Sequence, residues 1–204
     1  SSMPIDANGN LIPDFGDAPA AGASPSGSPG TPGLAYDGPR KMAFICSKGN
    51  LDMAYPALIM ANAALGEGVE VHIFFTFWGL DIVDVRTQDT LKFTFAGNTA
   101  MHMPQLERAA GGWGTKSFPQ AMAALPGVTP FATHMMKQQM ADLGIPPVKE
   151  MVETVAALGG NLWACRLTVD MMQIKRAQLD PAVKDIISAA DFIELSAGAQ
   201  IVFV

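Results

Sequence analysis

Charge is scarce in this chain of 204 residues: Asp, Glu, Lys and Arg together make up 16%, against the roughly one quarter usual in soluble domains. Basic residues are the scarcer sign, 13 against 19 acidic, for a formal net charge of −6. That balance argues against nucleic acid as a partner, because phosphate binding needs a clustered cationic face. Long apolar runs are missing too, and none approaches the ~18 residues of a membrane-spanning helix. The stretch Ser1–Gly9 lacks the charged-then-apolar pattern of a secretory signal. A cytoplasmic setting is therefore the expectation. Cysteine is limited to Cys46 and Cys165, which is no disulfide framework, so both are read as thiols. With His72, His102 and His134 they form no CxxC or HxxxH pair of zinc spacing. There is no G-x-S-x-G elbow, and Ser47–Asn50 is too short for a phosphate-binding Walker loop. Gly111-Gly112-Trp113-Gly114 follows no strand and fails the dinucleotide fingerprint.

What remains is apolar: 49% of the residues are hydrophobic, enough for a large core and for surface covered by an oligomer. Residues 1–39 stand apart, with seven glycines, seven prolines, four aspartates and no basic residue. Such a composition offers no hydrophobic face to offset ordering entropy, and it reads as a disordered or extended arm. From residue 40 onward the pattern is that of an α/β domain. Lys41–Cys46 reads as a strand. Asp52 is the expected N-cap of a helix reaching about Leu65, with Pro56 in its first turn. Val69–Thr76 is β-branched and aromatic, a second strand. Strand, helix and strand over this span make a parallel βαβ unit. An apolar insertion at about 81–130 follows, in which Gln88–Phe95 suits a short strand or helix and 101–104 and 110–114 suit loops. Helices are expected over Phe131–Leu143 and from Val148 to Leu158, the latter stopped by Gly159-Gly160. Asn161–Cys165 reads as a third strand. A helix should then run to about Lys175, another from Pro181 to near Ala197, and a buried strand over 199–204. The alternation predicts a layered sheet, mostly parallel, with helices on both faces.

Cys165 is the chief candidate for chemistry. It ends an apolar strand where a helix begins, and in an open α/β sheet that carboxyl edge is where ligands collect. Helix N-terminal amides favour an anion there, and such a setting activates a thiol whose ordinary pKa is about 8.5. The competing reading is a buried cysteine acting as a small hydrophobe. Cys46 also ends a strand, so both thiols belong to one edge; if their strands were neighbours, the sulfurs would meet within relay distance. His72 reads as a satisfied core-edge residue, and His134 as part of a packing stripe with Met135 and Met136. The run Phe74-Phe75-Thr76-Phe77-Trp78-Gly79-Leu80 is core and sheet edge, or an apolar wall, with Trp78, beside the thiols.

These segments together resemble the DsrE/DsrF-like family of sulfur-trafficking proteins, in its longer branch often labelled peroxiredoxin-like. The resemblance is carried by Ile45–Asp52, Ile73–Leu80, His134–Lys137 and Trp163–Met172, and it covers about residues 40–204. It implies an α/β/α sandwich that forms homo-oligomers and carries sulfane sulfur on the cysteine matching Cys165. Transfer of a role to Cys46 is weaker, since relatives do not all share a thiol there. Gln173 stands where many relatives have a glycine before the isoleucine, a departure that bears on the local turn. The function so implied is a sulfur carrier or sulfurtransferase, needing no metal or organic cofactor. Cys165 accepts sulfur from a donor protein and passes it to an acceptor, Arg166 and the helix amides steady the anion, Thr168 and Trp78 support, and Cys46 is a second acceptor. The alternatives are a non-catalytic oligomeric binder of a small ligand, and a peripheral membrane module built from Phe93–Phe131.

Overall fold

The computed structural model describes residues 40–98 and 119–204. The segment 1–39 and the loops expected at 101–104 and 110–114 lie outside the described residues. Strands β1 (Lys41–Cys46), β2 (Glu70–Phe75), β3 (Asn161–Cys165), β4 (Val183–Ile187) and β5 (Gln200–Phe203) form one sheet in the order β4-β3-β2-β1-β5. Every pairing in it is parallel. The α/β class and the layered parallel sheet read from the sequence are thus what the chain adopts.

Among the described residues the α-helices are α1 (Leu51–Gly66), α2 (Val128–Asp142), α3 (Val148–Ala157), α4 (Arg166–Met171) and α5 (Ala189–Leu195). The chain steps β1, β2, β3, β4 in one direction, and right-handed crossovers put the connections of such a progression on one face. There α1 and α3 pack on Phe44, Val71, Ile73, Phe75 and Leu162 in the larger core. The return from β4 to β5 runs over the other face, where the only described helix is α5, seven residues long. Phe192 of α5 stacks on Phe74 with ring centroids 4.6 Å apart, within a small core that includes Ala43, Cys165 and Ile187. One layer is thick and the other thin.

Several boundaries differ from expectation. Asn50, not Asp52, occupies the cap position of α1. Asp52 Oδ1 instead accepts the Thr94 N–H at 2.9 Å, and Pro56 falls in the second turn. Gln88–Phe95 is neither strand nor helix. Its backbone bonds outward: Lys92 C=O accepts from Leu51 N–H at 2.9 Å, and Phe93 N–H donates to the Thr133 hydroxyl at 3.0 Å. The helix expected from Pro181 is β4 followed by α5. Asp180 Oδ1 turns the chain by accepting from Ala182 N–H at 2.8 Å, and α5 starts only at the capping box of Ser188 and Asp191. The last strand, expected to be buried, is an edge. It has one neighbour, and Ile201 and Phe203 project onto the thin layer, Phe203 69% exposed.

The helix after Cys165 also stops early. Ile174 N–H returns to Val169 C=O at 2.9 Å and Gln173 N–H to Asp170 C=O at 3.2 Å, a Schellman closure. The closure needs a left-handed residue, and Gln173 supplies it at φ 52°, at the position where the resemblance led us to expect glycine. Gln173→Gly should therefore stabilise the domain by about 1 kcal/mol, read as a rise in the urea midpoint with unchanged slope. An unchanged or lower midpoint would contradict this.

Candidate functional site

The site is assembled by strand register. Phe75 pairs with Ala164, so the next residues, Thr76 and Cys165, come level at the carboxyl edge and on the same face. Cys165 then takes the cap position of α4 with φ −71° and ψ 118°. Cys165 is 5% exposed, at the border of the thin layer. Thr168, one turn into the helix, is buried and brings its hydroxyl to 3.3 Å from that of Thr76. The same Thr168 oxygen accepts the Phe77 N–H at 3.0 Å.

Burial acts to raise the Cys165 pKa, and four donor interactions oppose it: the Thr76 hydroxyl, the Thr168 N–H, the Thr168 hydroxyl and the Leu167 N–H. Their sum wins, and the thiol is held below its ordinary value. The resting thiol makes no close cap bond. The donors are therefore arranged for the anion, which accepts hydrogen bonds more strongly than S–H does.

The rim of the thiol is apolar. Phe77 takes a left-handed conformation, φ 47°, rare for an aromatic residue. Its ring and that of Trp78 are exposed and stack at 6.2 Å. Leu167 and Met171, one helical turn apart on α4, are exposed as well. Trp78 is 63% exposed and so is no wall that shuts water out.

Two expected participants are elsewhere. Arg166 donates to the Ile186 carbonyl at 2.6 Å and acts on Asp191 at the start of α5, so it anchors α4 to β4 instead of facing the sulfur. Cys46 lies on β1, with β2 between it and β3, which puts the two Cα atoms roughly 10 Å apart at two strand spacings. It packs in the α1-side core with Leu51 and Phe75, whereas Cys165 packs in the opposite one. The neighbouring strands that a direct sulfur relay required are absent, and the relay fails on geometry. Burial pushes the Cys46 thiol up to about 12. What Cys46 contributes is its carbonyl, which accepts the Thr76 N–H at 2.9 Å and so fixes the strand end.

Thr76 is the participant that sequence reasoning passed over. It stood inside a quoted motif, but its hydroxyl meets Cys165 only if β2 and β3 are neighbours. His72 is satisfied on both sides: Nε2–H donates to Glu70 Oε1 at 2.7 Å, and Nδ1 accepts from Trp163 Nε1–H at 3.1 Å. His134 is exposed on α2. Among the described residues, no helix is long and apolar enough to cross a membrane.

The chain is 35% identical over 162 residues, 79% of its length and 96% of the relative's, to the sulfur carrier protein DsrE2 of Allochromatium vinosum. It is 25% identical over 140 residues, 69% of its length and 81% of the relative's, to the uncharacterized protein YrkE of Bacillus subtilis. A crystal structure of the ychN protein from E. coli superposes with a TM-score of 0.46 at 10% identity, covering 81% of this chain and 99% of that one. The model of the DsrE/DsrF/DrsH-like family matches residues 39–204, and the chain belongs to that family.

Proposed function

We propose that this protein is a sulfur carrier in which Cys165 receives a sulfane sulfur atom and hands it to the thiol of a partner protein. The observation that carries the reading is the convergence of hydroxyl and amide donors on Cys165, which holds its thiol below the ordinary value. The similarity to a protein named as a sulfur carrier supports it. In the loading step the Cys165 thiolate attacks the outer sulfur of a donor persulfide, R–S–SH. A new S–S bond forms, the donor S–S bond breaks, and R–S⁻ departs, leaving Cys165–S–SH with no net oxidation. In the unloading step an acceptor thiolate attacks that outer sulfur, and the Cys165 thiolate is the leaving group. Lower pKa makes a thiolate a weaker nucleophile but a faster leaving group. The donors around Cys165 thus favour the hand-over, and their hydrogen bonds form as the charge returns to the inner sulfur.

Phe77, Trp78, Leu167 and Met171 give donor and acceptor proteins an apolar landing rim around the thiol. The protein acts as a homo-oligomer in this reading. Ile193, Ile201 and Phe203 leave apolar surface on the thin layer. The β5 edge carries no charge, whereas β4 carries Lys184 and Asp185; charged edges resist pairing with another chain. Leu125 is exposed in the insertion and Phe131 on α2.

The test is intact mass after treatment with glutathione persulfide. Wild type and Cys46→Ser should each gain one sulfur atom, mapped to Cys165 by peptide analysis, and Cys165→Ser should gain none. A Cys165→Ser protein that still loads would overturn the proposal.

A further inference from the structure

On the side of the sheet away from Cys165 there is a cavity of about 270 Å³, lined by Leu51, Tyr55, Met140, Ile145 and Val148 together with Gln88. Leu51 opens α1 and Val148 opens α3. Helices that follow or precede parallel strands in this way begin at the carboxyl edge, so the cavity shares the edge where open α/β sheets bind ligands.

Its walls are mostly apolar; Asp89 and Lys137 also line it but are exposed, and Gln88 is the buried polar residue. Only 3% of Gln88 is exposed, yet its side-chain Oε1 is buried with no hydrogen-bond partner among the described residues. Two other polar groups nearby are engaged: the Tyr55 hydroxyl donates to Pro146 C=O at 3.0 Å, and Lys137 Nζ to Asp89 C=O at 2.8 Å. A buried acceptor left unmet is destabilising, and such groups in folded proteins are met by protein, water or ligand.

We propose that this cavity is a binding site for a small uncharged molecule, aromatic or branched aliphatic, that carries one hydroxyl or N–H donor. The apolar body lies against Met140 and Ile145, and the donor is taken by Gln88. The terminal amide torsion of glutamine is broad, so a modest rotation brings Oε1 to the ligand. Size and polarity both fit. A dry cavity of about 150 Å³ accepts benzene, and this one has room for a ring with a substituent. A charge is disfavoured, because Asp89 and Lys137, the charged lining residues, are exposed and screened by solvent, and desolvating a ligand charge is costly. A lone water would satisfy Gln88 but leave the aliphatic walls without contact.

The site is independent of the thiol reading, and phenol and toluene test it, being of similar size with one O–H between them. Binding is followed by the methyl resonance of Met140 in the full chain, labelled on methionine methyls. Phenol should shift that resonance at millimolar concentration and bind about tenfold more tightly than toluene. Benzoate should bind more weakly than phenol. In Gln88→Leu the advantage of phenol over toluene should vanish while toluene still binds. Met140→Trp should fill the space and lose both, with Cys165 alkylation unchanged. Equal affinities for phenol and toluene in wild type, tighter binding of benzoate, or no shift with any of the three would overturn the proposal. The wild-type comparison stands even where a variant does not fold.

Discussion

Joint replacement of Thr76 and Thr168 by valine should slow iodoacetamide labelling of Cys165 at neutral pH by about tenfold, by shrinking the thiolate fraction. Valine keeps the shape of threonine and removes the hydroxyl. Burial already acts to raise the thiol's pKa, and two of the four interactions that overcome it come from these hydroxyls. Without them only the Thr168 and Leu167 N–H groups oppose burial. In wild type the half-maximal rate should fall below the ordinary cysteine value of about 8.5, and in the double variant it should move upward. Serine at both positions should restore the wild-type profile. The sign for stability follows from the depressed folded-state value. The thiolate contribution is fully present above the unfolded value, about 8.5, and is lost as pH falls through the folded one. The stability gap between wild type and the valine variant should therefore widen from pH 6 to pH 9. Because Thr168 also holds the Phe77 N–H, Thr76→Val alone isolates the effect on sulfur. Superimposable rate profiles for wild type and Thr76→Val would remove Thr76 from the site.

Gly79→Ala should be the most damaging single methyl in the domain, costing about 3 kcal/mol or more, at the upper end of what overpacking does. A Cβ there would stand 2.0 Å from the Cys46 carbonyl oxygen and 2.6 Å from its carbon. Both are backbone atoms of a central strand and cannot swing aside. The same carbonyl accepts the Thr76 N–H, so any relief of the clash drags Thr76 away from Cys165. Chemical denaturation should show the lost stability, and the surviving folded protein should label more slowly at Cys165. Unchanged unfolding would mean that the turn at 77–82 relaxes without cost.

Much of the fold could be read in one dimension because local pattern dictates it. The strands over 41–46, 70–75 and 161–165 are short β-branched or aromatic runs, and α3 follows its apolar spacing. Misreadings came where long-range pairing decides. Val183–Ile187 carries too few residues to separate strand from helix by periodicity, and only its pairing with β3 settles it. The Ser188-x-x-Asp191 box that starts α5 was legible and went unread. At the candidate site, the place of Cys165 was legible because a strand end meeting a helix start is a local signal. The distance between Cys46 and Cys165 was not, since it depends on β2 lying between β1 and β3. Thr76 was hidden for the same reason: register, not sequence spacing, sets it beside the thiol.

The strand order also fixes the redox arithmetic of the molecule. The chain has two cysteines, and with Cys46 sealed in the opposite core no resolving thiol in the same chain can reach Cys165. On the proposed function, each chain then offers a single thiol for loading. Any disulfide at Cys165 joins two molecules, so a partner trapped there is released only by an outside reductant. An oxidant that reaches Cys165 before a partner does leads toward sulfinic acid instead of a protective internal bridge.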